Sequence, residues 1–315
     1  MTDVELQPMK IVVVGCGAMG SIYAALLADA GNNVTVVDPW VEHIRTIQSK
    51  GLRVEGASGD RTVRVDAHTS IPSATADLVI VAVKAAHVPG VADQLGPLIN
   101  PRTLILTIQN GVGSADVLAQ NVPAERLSVG IAGGFGAIMR GPGHAYHNGM
   151  NLIRIGPFSD LAFCELQRIA DVWRTAGFKV EAVPDVRVIQ WEKLICNVAY
   201  SAPCALTGMT VGEVMDDPDM GPVSRAAALE AWKVALALGI PIKIEDPIKL
   251  VREFAANMRA AKPSLLQDLE NRRHGEIDVI NGAVSRMAAK VGMDAPVNAT
   301  LVALVKQRER SFATR

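Results

Sequence analysis

Residues 10–38 read KIVVVGCGAMGSIYAALLADAGNNVTVVD, and this stretch decides the fold. The β-branched run at residues 10–14 predicts a strand. Apolar residues then recur at helical spacing over residues 20–30, and Gly31 follows at a position where a helix would stop. A second β-branched run occupies residues 34–37. A strand, a helix and a second strand in close succession predict a βαβ unit and a parallel sheet.

The turn between the first strand and the helix carries a G-x-G-x-x-G motif. Its six residues are Gly15, Cys16, Gly17, Ala18, Met19 and Gly20. The first glycine permits a tight turn, the second lets the backbone approach a pyrophosphate, and the third packs the helix against the strand. The helix N-terminus presents unpaired N–H groups to phosphate oxygens. The motif therefore predicts dinucleotide binding, and the alternative is a glycine-rich turn without a ligand.

Asp38 ends the second predicted strand and bears on the choice of cofactor. A carboxylate at this position accepts hydrogen bonds from the ribose hydroxyls of NAD, whereas the 2′-phosphate of NADP would face a like charge. We therefore expect NAD(H) to be favoured over NADP(H). Two alternatives stay open: Asp38 followed by Pro39 also fits a helix N-cap, and Arg45 is close enough in sequence to bind a phosphate.

Further strands and helices extend this pattern into a two-domain α/β protein. Strands are predicted at residues 78–83, 104–108, 151–155 and 179–183, with a helix at residues 161–176. After Pro184 only helical periodicity recurs, at residues 185–200, 220–238, 246–261, 264–290 and 296–310. The expected fold is an N-terminal Rossmann-type, doubly wound parallel sheet followed by an all-helical domain. We place the first domain at residues 1–184 and the second at residues 185–315.

Composition excludes several classes of partner. The 315 residues include 31 basic and 32 acidic side chains, so the net charge of −1 argues against binding to nucleic acid or to an anionic membrane. The apolar runs are shorter than a membrane span requires, and residues 1–8 lack the features of a signal peptide. The four cysteines show no metal-type spacing, so we expect reduced thiols, no metal and a cytoplasmic protein.

Polar residues at the ends of predicted strands and on predicted helices are candidates for chemistry. Lys84 and Asn110 follow two strands at the edge where open α/β sheets bind ligands. Each also fits an ordinary strand end or turn. Lys193 and Asn197 are four residues apart and so share a helix face, although a surface lysine is the alternative. Glu276 precedes an apolar run and could face a cleft.

Together these residues resemble the ketopantoate reductase family, and the resemblance covers nearly the whole chain. The shared motifs are the glycine turn, Lys84, Gln109-Asn110-Gly111, Trp191-x-Lys193-x3-Asn197, Ser264-x-x-Gln267-Asp268 and Glu276-Ile277-Asp278-x-Ile280-Asn281-Gly282. The resemblance implies reduction of 2-dehydropantoate to (R)-pantoate with NAD(P)H, a step of pantothenate biosynthesis. It also favours functional roles for Lys84, Asn110, Lys193 and Glu276 over the structural alternatives.

The resemblance also implies a role for each site residue. Lys193 would donate a proton to the carbonyl oxygen, where charge grows during hydride transfer. Glu276 would orient Lys193 and bind cofactor or substrate hydroxyls. Asn110 would connect the nicotinamide side with Lys193, and Lys84 would contact the cofactor. Three side chains would bind the substrate: Asn197, Ser201 and Ser264.

Three departures from the family pattern leave the substrate open. Asp38-Pro39 replaces the basic residue of members that use NADP, Ser201 replaces a second asparagine, and Val211 replaces a third. Loss of polar contacts favours a substrate with fewer hydroxyls. The alternative is therefore an NADH-dependent D-2-hydroxyacid dehydrogenase acting on another branched or aromatic 2-oxo acid. A dinucleotide sensor without catalysis would have no reason to keep Lys193 and Glu276. The apolar helices of the second domain favour a homodimer.

Overall fold

A computed structural model describes residues 7–134, 136–149 and 152–312 of the chain. The chain forms two compact units. The first comprises Met1–Gln109 and Ser114–Val186, and the second comprises Asn110–Gly113 and Arg187–Arg315. The short segment that carries Asn110 thus belongs to the second unit, although the sequence placed it inside the first domain. Most of residues 1–8, which were assessed above for signal-peptide features, lie outside the described residues, as does Asn151 of one predicted strand.

A large sheet forms the first unit, and its strands appear in the spatial order β12-β11-β8-β7-β6-β1-β2-β5. Its strands are β1 (Lys10–Val14), β2 (Asn33–Val37), β5 (Asp66–His68), β6 (Leu78–Val81), β7 (Leu104–Thr107), β8 (Leu127–Ala132), β11 (Leu152–Pro157) and β12 (Lys179–Ala182). Within this sheet every neighbouring pair of described strands is parallel except β8 and β11. The predicted doubly wound, mainly parallel sheet is confirmed.

Burial explains why the central strands are continuous in apolar residues. All four residues of β6 and of β7 are buried, as are the last four of β1. Strands that are covered on both faces have no polar side to alternate with, so the period-2 pattern disappears. Helices of the first unit include α1 (Ala18–Asp29), α2 (Val41–Lys50), α3 (Val88–Ala92), α4 (Ser114–Leu118) and α5 (Phe163–Thr175).

The first unit also contains a second sheet that the sequence analysis did not predict. It has the order β4-β3-β10-β9 and comprises β3 (Leu52–Gly56), β4 (Arg61–Val63), β9 (Gly136–Gly141) and β10 (His144–Gly149). Strands β9 and β10 pair antiparallel, and Gly143 adopts a φ of +69° between them. Glycines in β9 and β10 weaken the strand pattern, because glycine has low strand propensity.

Helices are the only regular secondary structure in the described part of the second unit. Its helices are α6 (Val186–Thr207), α7 (Val211–Asp216), α8 (Met220–Ala237), α9 (Pro247–Asn257), α10 (Ser264–Glu270), α11 (Asn281–Lys290) and α12 (Pro296–Arg310). Helix α7 was missed, although Thr210 and Glu213 form a capping box that marks its start. None of the helices in the described ranges combines the length and apolarity that crossing a bilayer requires.

The prediction of a single helical segment at residues 264–290 was wrong. Helix α10 ends at Glu270, and α11 starts only at Asn281. Arg272 adopts a φ of +54°, a left-handed conformation that an α-helix does not accommodate. Apolar spacing continued across the break because Ile277 and Ile280 are buried in the core of the second unit without belonging to a helix. The break leaves residues 271–280 as an irregular segment that carries Glu276.

Candidate functional site

The glycine turn of the first unit is built as its sequence motif predicts. Gly15 has a φ of +96°, and a Cβ there would lie 2.6 Å from the Val83 nitrogen. A Cβ at Gly20 would lie 1.9 Å from the Gly15 carbonyl oxygen, so the helix and the turn touch directly. Around Gly17, by contrast, a Cβ would meet no atom within 4 Å. The turn is therefore tightly packed at Gly15 and Gly20, whereas the space at Gly17 is open.

This turn fits the pyrophosphate of a dinucleotide. The space over Gly17 adjoins the start of α1, whose first-turn N–H groups have no acceptor within the helix. A phosphate in this space would approach the backbone closely and meet the positive end of the helix dipole. A side chain at Gly17 would occupy the same space. The residues present therefore suit the nicotinamide dinucleotide that the motif implies.

Asp38 is fixed next to this turn by two backbone donors. Its Oδ2 accepts a hydrogen bond from the Cys16 N–H at 3.0 Å, and its Oδ1 accepts one from the Trp40 N–H at 3.0 Å. The N-cap interpretation of Asp38 was wrong, because α2 begins at Val41 with Trp40 as its N-cap. Each carboxylate oxygen keeps a lone pair for a further donor. The carboxylate can therefore accept from ribose hydroxyls while it anchors the turn.

The Cys16 side chain is buried beneath the turn and contacts His43. The His43 Nδ1 accepts from the Gly143 N–H at 2.8 Å, so the ring proton is on Nε2, which lies 3.4 Å from the Cys16 Sγ. Burial lowers the pKa of His43 and raises the pKa of the Cys16 thiol to about 12. Both groups are therefore neutral, and they serve to pack the turn. Sequence reasoning missed His43, for which no local signal exists.

The ends of β6 and β7 are joined by Gln109. Its Nε2 donates to the carbonyl oxygens of Val81 at 2.7 Å and Val83 at 3.0 Å. Lys84 follows β6 after two intervening residues and is exposed as the N-cap of a short 3-10 helix, Ala85–His87. The sequence analysis did not predict these hydrogen bonds of Gln109, since it indicated only that Lys84 and Asn110 follow strands at the ligand-binding edge of the sheet.

In the second unit three predicted residues form one hydrogen-bonded chain, which we call the amide cluster: Asn110, Lys193 and Glu276. The Lys193 Nζ donates to the Asn110 Oδ1 at 3.0 Å, and the Asn110 Nδ2 donates to the Glu276 Oε2 at 3.3 Å. All three side chains are half-buried. The side-chain oxygen of Asn110 thus accepts from the Lys193 ammonium, and its NH2 group donates to the Glu276 carboxylate. Each end of the amide is therefore paired according to its chemistry.

The ammonium of Lys193 is placed for proton transfer near neutral pH. Burial lowers the pKa of Lys193 from 10.5 to about 8, and the charge of Glu276 opposes part of this fall. A general acid works best when its pKa is close to the operating pH. A half-buried lysine with this pKa is still mostly protonated at pH 7 and can therefore donate a proton more readily than an ordinary surface lysine.

The remaining predicted substrate residues belong to the same unit. Asn197 and Ser201 follow Lys193 on α6 at successive intervals of four residues, so the three positions share a helix face. Ser201 is buried, and Asn197 is half-buried. Ser264 begins α10 and is exposed. Val211, which replaces a family asparagine, is buried in the apolar core. No group of three or more potential metal-ligating side chains occurs among the described residues.

Family models cover most of the chain. The ketopantoate reductase PanE/ApbA model matches residues 11–160, and the model of the C-terminal part of ketopantoate reductase PanE/ApbA matches residues 185–309. The chain belongs to the ketopantoate reductase family. As a member of this family it is an oxidoreductase of the type that acts on CH–OH groups with a nicotinamide cofactor.

Individual relatives are similar to this chain over nearly its full length. The 2-dehydropantoate 2-reductase of Halobacterium salinarum is 31% identical, over 96% of this chain and 99% of its own. A PanE/ApbA family ketopantoate reductase from Ralstonia eutropha JMP134 superposes with a TM-score of 0.87 at 33% identity, over 97% and 100% of the two chains. A D-mandelate dehydrogenase with NADH and anilino(oxo)acetate reaches 0.89 at 26% identity, over 97% and 99%.

Proposed function

We propose that this protein reduces 2-dehydropantoate to (R)-pantoate with NADH. The observation that carries the proposal is the amide cluster, in which the Lys193 ammonium is held 3.0 Å from the Asn110 oxygen. A protein that only sensed a dinucleotide would not require a half-buried, hydrogen-bonded ammonium. The names of the curated relatives, 2-dehydropantoate 2-reductases at about 30% identity, support the choice of substrate.

The reaction needs a hydride donor and a proton donor. When bound, the reduced nicotinamide supplies the hydride to the carbonyl carbon of the 2-oxo acid. The electron pair of the carbonyl bond then moves to oxygen, and Lys193 donates a hydrogen bond and finally its proton to that oxygen. The product is a D-2-hydroxy acid, and Lys193 regains its proton from solvent. Of the site residues, Lys193 should contribute most to stabilising the transition state.

The other residues of the amide cluster bind and orient. Glu276 raises the pKa of Lys193 and so keeps the ammonium protonated before each turnover. Asn110 fixes the direction of the ammonium and would contact the nicotinamide side. Three side chains would bind the substrate hydroxyl and carboxylate: Asn197, Ser201 and Ser264. The cofactor would be bound by residues Gly15 to Gly20, Asp38, Lys84, Asn110 and Glu276.

The preference for NADH over NADPH rests on Asp38. The carboxylate can accept from two ribose hydroxyls but would repel a 2′-phosphate. NADH should therefore support a higher kcat/KM than NADPH, and Asp38→Ala should narrow the difference. Steady-state kinetics with both cofactors provide the test. Equal or better use of NADPH by the unaltered protein would contradict the proposal.

A second candidate substrate is a branched or aromatic 2-oxo acid without the 4-hydroxyl of 2-dehydropantoate. Buried Ser201 and Val211 favour it, because both replace asparagines that could bind a hydroxyl. The similarity to a D-mandelate dehydrogenase with NADH points in the same direction. A missing hydrogen bond to a buried hydroxyl costs about 1–3 kcal/mol, which corresponds to one or two decades in kcat/KM.

One comparison separates the two candidates. We measure kcat/KM with NADH for 2-dehydropantoate and for 2-oxo-3,3-dimethylbutanoate, which lacks the hydroxyl. A tenfold preference for 2-dehydropantoate supports the first candidate, whereas equal or better reduction of the analogue supports the second. Ser201→Asn should shift the preference toward the hydroxylated acid. Failure to reduce any 2-oxo acid would overturn both candidates in favour of a dinucleotide sensor.

Two properties of the whole protein complete the proposal. The first is formation of a homodimer through the apolar helices of the second unit. Light scattering after size-exclusion chromatography measures the molar mass and so tests it. A cytoplasmic location is supported by the four cysteines, which are unpaired, as expected in a reducing compartment. Neither property depends on the identity of the substrate.

A further inference from the structure

Gln190 contacts the segment that carries Asn110. Its side-chain Nε2 donates to the Gly111 carbonyl oxygen at 2.9 Å, and both groups belong to the second unit. Gln190 lies in the first part of α6, three residues before Lys193, so the two side chains share one helix face. The same helix therefore supplies a donor to the Gly111 backbone and a donor to the neighbouring Asn110 side chain.

The same segment is also in close contact with Val279. The Val112 N–H donates to the Val279 carbonyl oxygen at 2.9 Å. A Cβ at Gly111 would lie 2.0 Å from that same oxygen, and Gly111 has a φ of +82°. The backbone of residues 110–112 is thus pressed against the irregular segment that carries Glu276. Gln190 supplies the restraint from the side of α6.

We propose that Gln190 is a positioning residue, which holds the Gly111 carbonyl so that the Asn110 amide connects Lys193 with Glu276. Asn110 meets its two partners at 3.0 and 3.3 Å, so a rotation of the backbone that follows it, at Gly111, would lengthen one contact or both. Misplacement of a reacting group by about 1 Å can cost two decades in rate. The effect on catalysis rests on the function proposed above, whereas the effect on geometry does not.

The test uses Gln190→Met, which keeps the length of the side chain and removes its donor. With 2-dehydropantoate and NADH, kcat should fall about tenfold, as expected for one hydrogen bond that orients the acid, while the Kd of NADH changes little. The decisive measurement is a double-mutant cycle with Asn110→Ala. If Gln190 acts through Asn110, then Gln190→Met should cost no further activity in the Asn110→Ala background. Fully additive losses would overturn the proposal.

A second readout does not require turnover. Competitive acetylation followed by mass spectrometry gives the pH at which Lys193 becomes reactive. Loss of the Asn110 acceptor removes a hydrogen bond that favours the charged form, so Asn110→Ala should move this midpoint to lower pH. Gln190→Met should shift it the same way, and the double variant should shift it no further. If the unaltered protein reduces no 2-oxo acid, the proposed function fails. The same double-mutant cycle, followed by the acetylation midpoint of Lys193, then still decides the role of Gln190.

Gln48 provides a matched control. Its Nε2 donates to the Ala67 carbonyl oxygen at 2.8 Å, a bond of the same kind within the first unit. Gln48→Met should lower the melting temperature by an amount similar to that for Gln190→Met, yet leave kcat and the Lys193 midpoint unchanged. A loss of kcat in Gln48→Met equal to that in Gln190→Met would mean that both variants act through stability alone and would overturn the proposal.

Discussion

The glycine turn and the amide cluster are organised over different distances along the chain. The turn is six consecutive residues, and its carboxylate partner Asp38 is only 22 residues from Cys16. In the amide cluster, Lys193 is 83 residues from Asn110, and Glu276 is 166 residues from it. Backbone sterics within the motif account for most of the shape of the turn, and Val83 packs against it at Gly15. The cluster forms only when helix α6, the 110–112 segment and the 271–280 segment have packed together.

The two regions should therefore fail in different ways when they are altered. A change in the turn should weaken binding of the dinucleotide, because the turn presents backbone rather than reacting groups. A change at Lys193 of the amide cluster should slow the chemical step at nearly normal cofactor affinity, because in the proposed mechanism its ammonium acts on the carbonyl oxygen of the substrate. Three variants test this separation, beginning with the largest expected effect.

Lys193→Ala should lower kcat by about 10²–10⁴-fold, the usual contribution of a positioned acid. The Kd of NADH, measured by fluorescence titration, should change little. Lys249→Ala is the control, since Lys249 is an exposed lysine of the same unit, in contact with Glu253. A Lys193→Ala protein with nearly normal kcat would show that the proton comes from another group.

Gly20→Ala should weaken NADH binding about tenfold or more, because the new Cβ would lie 1.9 Å from the Gly15 carbonyl oxygen and push the turn apart. At saturating NADH the effect on kcat should be smaller. Gly90→Ala is the matched control: Gly90 is another helical glycine of the first unit, where a Cβ would meet no atom within 4 Å. Unchanged NADH affinity in Gly20→Ala would contradict the assigned role of the turn.

Glu276→Gln should shift the pH dependence of kcat, the smallest of the three effects. The acid must be protonated, so kcat should fall as pH rises through the pKa of Lys193, about 8. Removing the carboxylate charge removes an influence that raises this pKa, so the fall should begin at lower pH, by on the order of one unit. Asp278→Asn, which alters an exposed carboxylate paired with Lys306, should leave the profile in place. A shift to higher pH would show that Glu276 does not stabilise the ammonium.

The parts of the fold that the sequence predicted share a local origin. The strand, glycine turn and helix at residues 10–31 follow from β-branched residues, positive-φ glycines and helical spacing within one short stretch. The second sheet was missed because β4 has only three residues, β9 and β10 contain glycines, and β10 pairs with the sequence-distant β3. The break after Glu270 was missed because buried Ile277 and Ile280 imitate helical periodicity in an irregular segment.

By itself the sequence determined the glycine turn, the position of Asp38 beside it and the list of polar residues from which a site could be built. Close steric contacts over a few residues govern these features, so they can be read from spacing. Tertiary structure alone decided that Asn110 lies between Lys193 and Glu276, that Gln190 restrains Gly111, and that the pKa of Lys193 falls. Each of these depends on burial and on contacts between segments that are distant in the chain, and neither can be read from local spacing, because each arises only when the whole unit has packed.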